Sequence, residues 1–293
     1  MNRRTFLGAA GATVLAGTRL APSVRAAEQG TKPQLRTRFA VPPDIFRGMP
    51  FDKALEQIAA MGFPAFERLG WEGLDLEAVR KKADELGLEY SCIVGAGRIA
   101  PGGLVNPEDH DKVIEQFKKA VEAAHKLNVK RLVALTGNER NDVSRDQQKQ
   151  YIIEGLKKLA PIAEAEKVTL VLEPLNVLVD HRGYFLSRSD EAAEILKAVN
   201  SPNVKMLFDI YHQQITEGNL IRNIKRNIDL IGHFHVADNP GRHEPGTGEI
   251  NYRNVFKAIY ETGYRELVAL EFSPSRGATA EQVLQAVIDA DQW

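Results

Sequence analysis

The sequence predicts an α/β fold, namely a (β/α)₈ TIM barrel that forms a single domain, and three observations support this prediction. Short apolar segments typical of buried strands alternate with amphipathic helical segments along residues 27–293. About eight strands and eight helices fit into this length, and a barrel of this class needs about 250 residues. The first strand runs into Pro42-Pro43-Asp44 instead of a glycine-rich phosphate turn, which disfavours an open doubly wound sheet.

The predicted strands are short runs rich in Val, Leu, Ile and Phe. They span residues 38–41, 65–68, 90–94, 131–135, 169–173, 204–209, 231–237 and 267–272. No low-complexity linker interrupts residues 27–293, and 43% of the 293 residues are apolar. This composition is typical of a soluble globular chain that forms one large domain.

The clearest predicted helix spans residues 109–127, where apolar side chains recur every three or four positions. Other helices are expected at 51–61, 76–86, 147–166, 189–199, 219–227 and 252–262, with a last one after Thr279. Ser144, Ser189 and Thr279 are candidate N-caps. Gly62, Gly87 and Gly263 are candidate helix stops, and Pro161 should kink the helix that contains it.

Residues 1–26 have the pattern of a twin-arginine export signal. Arg3 and Arg4 precede a weakly apolar, glycine- and alanine-rich run, and a small-residue site ends at Ala26. We therefore expect cleavage after Ala26, a partnership with the twin-arginine export machinery and a periplasmic protein. A membrane anchor is the weaker alternative, because the run is short and poor in Leu, Ile and Val.

Charge and cysteine content restrict the classes of partner. Removal of residues 1–26 takes away four arginines and no acid, so the formal charge falls from −1 to −5. This balance lacks the basic footprint of a nucleic-acid-binding protein. The single cysteine, Cys92, lies in an apolar run and is expected to be a small buried hydrophobic residue.

Potential metal ligands occur at the ends of four consecutive predicted strands. They are Glu173, Asp209, His235 and Glu271. The active site of this barrel class lies at the carboxyl ends of the strands, so these four side chains should converge. Three carboxylates close together need a cation or protonation to coexist, and oxygen ligands with one imidazole suit Mn²⁺, Mg²⁺ or Co²⁺. Nickel, iron and a catalytic zinc stay open as alternatives. The sequence therefore predicts a divalent metal site that is open to substrate.

Four segments also carry a family resemblance: LVLEPLN, FDIYH, HFHVADNPGRHEPGTGEINY and VALEF. They are similar to segments of the hydroxypyruvate isomerase branch of the xylose isomerase-like barrels, a group that includes the ketose 3-epimerases. The loop NPGRHEPGTGEINY is the most specific of them. Hydroxypyruvate isomerases have Gln at the position of His235, whereas ketose epimerases have His there. The resemblance thus supports the metal site and leaves the substrate open.

The resemblance implies a mechanism for a small sugar or hydroxy-keto acid. Glu173 and Glu271 would form the acid–base pair, and proton transfer would pass through an enediolate. Epimerisation results if both glutamates act at one carbon, and aldose–ketose isomerisation results if one glutamate serves adjacent carbons. The candidate substrate-binding residues are His212, Arg242, Glu67 and His181. Glu244 is expected to pair with Arg242, and Glu67 has the alternative role of fixing another side chain.

Three other function classes compete with this interpretation. A lyase or dehydratase acting on oxidised sugars or glycosides could use the same metal ligands. An apurinic-site endonuclease shares the barrel, but seven histidines and a charge of −5 disfavour its metal cluster and basic groove. A binding protein with a degenerate site is disfavoured because all four ligands are present.

Overall fold

A computed structural model describes residues 34–293, and the predicted export signal lies outside these residues. Nine strands form one parallel sheet in the order β3-β2-β1-β9-β8-β7-β6-β5-β4. They are β1 (Arg38–Val41), β2 (Ala65–Phe66), β3 (Glu89–Tyr90), β4 (Cys92–Ala96), β5 (Arg131–Ala134), β6 (Thr169–Leu172), β7 (Val204–Asp209), β8 (Ile231–Val236) and β9 (Leu267–Leu270). The predicted α/β barrel is confirmed as a nearly closed parallel barrel in a single domain.

The ninth strand arises because the predicted third strand is divided at Ser91. β3 pairs with β2 through Phe66 and Tyr90, whereas β4 pairs with β5 from Cys92 onward. The two edge strands of the sheet are therefore consecutive in the chain, and Ser91 joins them. The buried Ser91 keeps its backbone bond, because its N–H donates to the carbonyl of Phe66 at 3.0 Å.

Nine helices in the described residues surround the barrel. They are α1 (Phe51–Ala60), α2 (Leu76–Leu86), α3 (His110–Leu127), α4 (Arg145–Ala165), α5 (Ser189–Val199), α6 (Ile210–Thr216), α7 (Leu220–Asn227), α8 (Tyr252–Glu261) and α9 (Ala280–Ala290). Only α6 has no counterpart among the predicted helices. It begins immediately after β7, and the side chain of Asp209 caps it by accepting the N–H of His212 at 2.8 Å.

Two of the three predicted N-caps are confirmed. Ser144 accepts the N–H of Gln147, and Thr279 forms the full capping box with Gln282. Ser189 is not a cap: it is the first residue of α5, and its hydroxyl donates to Glu217. Helix α4 continues past Pro161 to Ala165. None of the helices within residues 34–293 has the length and apolar character needed to cross a membrane.

The carboxylate of Asp291 ties the end of the chain to the start of β1. It is fully buried and accepts the N–H groups of Arg36 at 2.6 Å and Thr37 at 3.0 Å. It also accepts the hydroxyl of Thr37 at 2.7 Å. Hydrogen bonds to a buried charge are about twice as strong as bonds between neutral groups. Asp291 therefore stabilises the amino-terminal end of β1.

We expect Asp291→Asn to lower the free energy of unfolding by about 2 kcal/mol, because the amide removes the charge and turns a donor toward other donors. Urea unfolding should show a lower midpoint with an unchanged m-value. Asp289→Asn is the matched control, because Asp289 is exposed and lies two residues earlier, in α9. An unchanged midpoint for Asp291→Asn would contradict this role.

Candidate active site

The four predicted metal ligands meet at the carboxyl ends of consecutive strands. Glu173 follows β6, Asp209 ends β7, His235 lies in β8 and Glu271 follows β9. The strand register places Asp209 beside His235 and His235 beside Ala269. One ligand atom from each of the four lies within 4.8 Å of the others. Parallel pairing of short buried strands therefore gathers residues that are nearly 100 positions apart.

The imidazole of His235 lies at the centre of this group. Its Nδ1 atom is 3.2 Å from Oε2 of Glu271, 3.6 Å from Oε1 of Glu173 and 3.9 Å from Oδ2 of Asp209. The ring is fully buried, and Nδ1 has no hydrogen-bond partner among residues 34–293. A buried polar atom without a partner is costly, so Nδ1 is suited to accept a cation.

Glu67 holds His235 from the opposite side of the ring. Oε1 of Glu67 is 2.9 Å from Nε2 of His235, and its Oε2 is 2.8 Å from Nε2 of His233. The hydroxyl of Ser91 also donates to Glu67. Burial raises the pKa of Glu67, but the charges of His235 and His233 outweigh burial and bring this pKa to about 2. Glu67 thus fixes another side chain, which is the alternative role expected for it, and substrate contact stays a prediction.

The electrostatics of the group also fit a divalent cation. Burial, and then the charge of Glu271, raise the pKa of Asp209 to about 6. Burial also raises the pKa of Glu173, to which the charges of Glu271 and Asp209 add. Three carboxylates that repel one another around an unpartnered imidazole nitrogen form a donor set of oxygens and one nitrogen. Such a set suits Mn²⁺, Mg²⁺ or Co²⁺.

His212 is placed by α6 and oriented by Asn176. The amide oxygen of Asn176 accepts the N–H groups of Val179 and Asp180, so its nitrogen faces Nδ1 of His212 at 2.6 Å. Nδ1 therefore accepts, and the ring proton belongs on Nε2. Burial lowers the pKa of His212 to about 4, so the ring is neutral at physiological pH.

The Nε2 atom of His212 faces the metal-ligand group. It lies 3.8 Å from Oδ2 of Asp209 and has no hydrogen-bond partner among the described residues. His181 is nearby, with its ring centroid 5.1 Å from that of His212. Burial, together with the charges of His212 and Arg242, lowers the pKa of His181. The structure thus brings both predicted substrate-binding histidines to one side of the site.

Arg242 contacts the site through Glu271. Its Nη2 donates to Oε2 of Glu271 at 2.6 Å, and its guanidinium lies 5.2 Å from the ring centre of Tyr211. Burial raises the pKa of Glu271, but the charges of His235 and Arg242 have the larger effect. The pKa of Glu271 therefore lies below its usual range. The expected pairing of Arg242 with Glu244 is wrong. Glu244 instead accepts the N–H of Ser275 at 2.9 Å and its hydroxyl at 2.5 Å.

A cleft of about 580 Å³ opens beside these residues. It is lined by Glu67, Arg242 and Glu271, together with Pro42, Asp44, Arg68, Leu69, Gly70, Leu270, Phe272 and Ser273. In the second set Leu270 ends β9, and the other residues come from the segments after β1, β2 and β9. Sequence reasoning missed this set because these residue types carry no ligand pattern. Trp71, in the loop after β2, donates its indole N–H to the carbonyl of Val94 at 2.9 Å.

Comparison with curated proteins identifies relatives that span most of the chain. A putative hydroxypyruvate isomerase of Danio rerio is 31% identical over 246 residues, which cover 80% of this chain and 88% of that protein. A 2-oxo-tetronate isomerase of Cupriavidus necator is 37% identical over 162 residues, which cover 55% of this chain and 62% of that protein.

Solved structures share the fold. A Brucella melitensis protein described as AP endonuclease, family 2 superposes with a TM-score of 0.75 at 27% identity, over 86% of this chain and 98% of that chain. A D-psicose 3-epimerase of Clostridium cellulolyticum H10 superposes with a TM-score of 0.72 at 18% identity, over 87% and 96% of the two chains. The family model for the xylose isomerase-like TIM barrel matches residues 55–289. With that match and the barrel architecture in agreement, the chain belongs to the xylose isomerase-like TIM barrel family.

Proposed function

We propose that this chain is a divalent-metal-dependent isomerase or epimerase of a small sugar or hydroxy-keto acid. The relatives named as isomerases of hydroxypyruvate and 2-oxo-tetronate support the isomerase class. The observation that carries the metal-dependent chemistry is the convergence of Glu173, Asp209 and Glu271 on the unpartnered Nδ1 of buried His235.

In this proposal Glu173, Asp209, His235 and Glu271 hold the metal, with Mn²⁺ as the first candidate and Mg²⁺ or Co²⁺ as alternatives. When bound, the ion supplies Lewis-acid stabilisation of the negative charge that develops as a carbon-bound proton leaves the substrate. Glu67 orients His235 so that Nδ1 faces the three carboxylates. Carboxylate-to-imidazole contacts of this type fix the tautomer of a ligand histidine and raise its basicity.

Glu173 and Glu271 are proposed as the acid–base pair. One carboxylate takes a proton from a carbon beside the substrate carbonyl, and the electron pair of the broken C–H bond moves into an enediolate. Return of a proton to the opposite face of the same carbon gives epimerisation. Return to the adjacent carbon, with transfer of the hydroxyl proton to the former carbonyl oxygen, gives isomerisation. The Nε2–H of His212 and the guanidinium of Arg242 are suited to bind substrate oxygens, with His181 beside His212.

Glu173→Gln should lower kcat by about 10³-fold, because an amide cannot accept the carbon-bound proton. The assay is proton NMR in heavy water with added Mn²⁺, applied to a panel of keto-sugars and hydroxy-keto acids. Deuterium at a carbon next to the carbonyl, with the carbon skeleton retained, is the expected result for the wild type. Glu166→Gln is the control, because Glu166 is exposed and pairs with His125.

Two results of the same NMR experiment would contradict the proposal. Loss of water or of an aglycone would assign the protein to the lyases that use a similar metal frame. Absence of exchange on every compound, with Glu173→Gln indistinguishable from the wild type, would exclude the proposed chemistry.

Glu67→Gln should weaken Mn²⁺ binding by about 10- to 100-fold, because His235 loses the carboxylate that orients its ring. Isothermal titration calorimetry of the metal-free protein with Mn²⁺ measures this change in dissociation constant directly. Glu89→Gln serves as the control, since Glu89 is exposed and pairs with Arg38 away from the ligand group. Equal Mn²⁺ affinity for Glu67→Gln and the wild type would mean that Glu67 has no part in metal binding.

We also propose that the protein is exported to the periplasm by the twin-arginine machinery, with Arg3 and Arg4 as the recognised pair. Replacement of both arginines by lysine should leave the full-length precursor in the cytoplasm, because this pathway depends on the arginine pair. Fractionation and immunoblotting of cells that express the two forms measure the distribution. Continued export of the double lysine variant would exclude this route.

A further inference from the structure

A buried carboxylate that the proposed chemistry does not use lies just beyond β8. Asp238 is fully buried and accepts four backbone N–H groups. Its Oδ1 accepts from Asn239 at 2.9 Å and Ile250 at 3.1 Å, and its Oδ2 accepts from Gly246 at 2.8 Å and Gly248 at 3.0 Å. One charged side chain thus satisfies donors from both arms of the loop 238–250, and such charge-assisted bonds are strong.

The same loop carries Arg242 in a demanding backbone conformation. Arg242 has a φ of 56°, in the left-handed region that residues other than glycine rarely adopt. Its N–H donates to the carbonyl of Asp238 at 3.0 Å, and the N–H of Asp238 donates to the carbonyl of His243 at 2.7 Å. The backbone of Asp238 therefore forms the hydrogen bonds that close the turn at Arg242. Its side chain accepts N–H groups from the rest of the loop.

The turn is also joined to the loop that carries Glu271. The N–H of Ser273 donates to the carbonyl of Arg242 at 3.2 Å, and Nδ1 of His243 lies 2.8 Å from the carbonyl of Ser273. The guanidinium of Arg242 reaches Glu271 at 2.6 Å from this position. A shift of the loop would therefore move Arg242 relative to both Glu271 and the cleft.

We propose that Asp238 is a positioning residue, which locks the loop 238–250 so that the guanidinium of Arg242 stays on Glu271 at the edge of the cleft. Asp238 does not belong to the group of metal ligands and acts through Arg242. This inference rests on the proposed function only for its kinetic test. The role of Asp238 in holding the loop does not depend on that function.

The first test is Asp238→Asn, which keeps the side-chain shape but must direct an N–H₂ group toward two of the four donors. We expect kcat/KM to fall by about 10- to 100-fold, because small misplacements of a substrate-binding group have effects of this size. Asp291→Asn is the matched control, since it replaces another fully buried carboxylate that accepts backbone N–H groups, at the start of β1. It should lose stability and keep kcat/KM within about twofold of the wild type.

A double-mutant cycle separates positioning from a general loss of structure. If Asp238 acts through Arg242, Asp238→Asn should have little further effect in a protein that already carries Arg242→Gln. Multiplicative effects of the two substitutions on kcat/KM would overturn the proposal.

A second readout does not depend on activity. Trypsin should cleave after Arg242 at least about tenfold faster in Asp238→Asn than in the wild type or Asp291→Asn, because the loop opens locally. Mass spectrometry of the fragments identifies the site. Gly248→Ala gives an independent route if Asp238→Asn fails to fold: a Cβ there would overlap the carbonyl of Asn239 and lie 2.6 Å from Oδ1 of Asp238.

The two readouts keep this inference distinct from the proposed function. A wild-type protein that is inactive on every compound would exclude the proposed function, while faster cleavage after Arg242 in the variants would still support the role of Asp238 in the loop. Unchanged cleavage after Arg242 in both Asp238→Asn and Gly248→Ala would overturn that role whatever the activity.

Discussion

The arrangement of the site depends on one constraint, which is the repulsion among three carboxylates, two of them buried, around one imidazole. Two like charges about 4 Å apart repel by about 4 kcal/mol at the effective dielectric of a protein surface, and more in the interior. The barrel nevertheless places Glu173, Asp209 and Glu271 close together. One carboxylate oxygen of each lies within 4.8 Å of the others and of a ring nitrogen of His235. A site of this composition is stable when a cation or added protons compensate the charge, and the proposed divalent ion meets that requirement.

Two of the four proposed ligands, His235 and Asp209, are each fixed by a different neighbour, so their geometry does not depend on the strands alone. His235 is held from behind by Glu67, which in turn contacts His233 and Ser91. Asp209 accepts the N–H of His212 in the first turn of α6, and this bond fixes both its carboxylate and the backbone of His212. Ligands that are oriented before the metal arrives lose little freedom on binding, which favours a defined coordination geometry over a loose one.

The alternation of strands and helices, and the four ligands at strand ends, could be predicted because they follow from periodicity and from one rule of barrel topology. Local competition among hydrogen bonds could not be predicted. Ser189 has the residue type of an N-cap, yet its hydroxyl donates to Glu217, which lies far along the chain. Glu244 lies two positions after the loop arginine, Arg242, but accepts from Ser275. Asn176 matters because it orients His212 across 36 positions, and no short-range pattern reveals such a contact.

The two proposed acid–base residues differ in their surroundings rather than in their attachment to the barrel. The side chain of Glu173 is 7% exposed, and burial raises its pKa. The side chain of Glu271 is 30% exposed, lines the cleft and receives a hydrogen bond from Arg242. Both residues immediately follow a strand, so their attachment to the barrel does not distinguish them. His235 in β8 lies closer to Glu271, at 3.2 Å, than to Glu173, at 3.6 Å, and Arg242 from the loop after β8 donates a hydrogen bond to Glu271. The segment with the most specific family resemblance thus contributes to the chemical difference between the two glutamates.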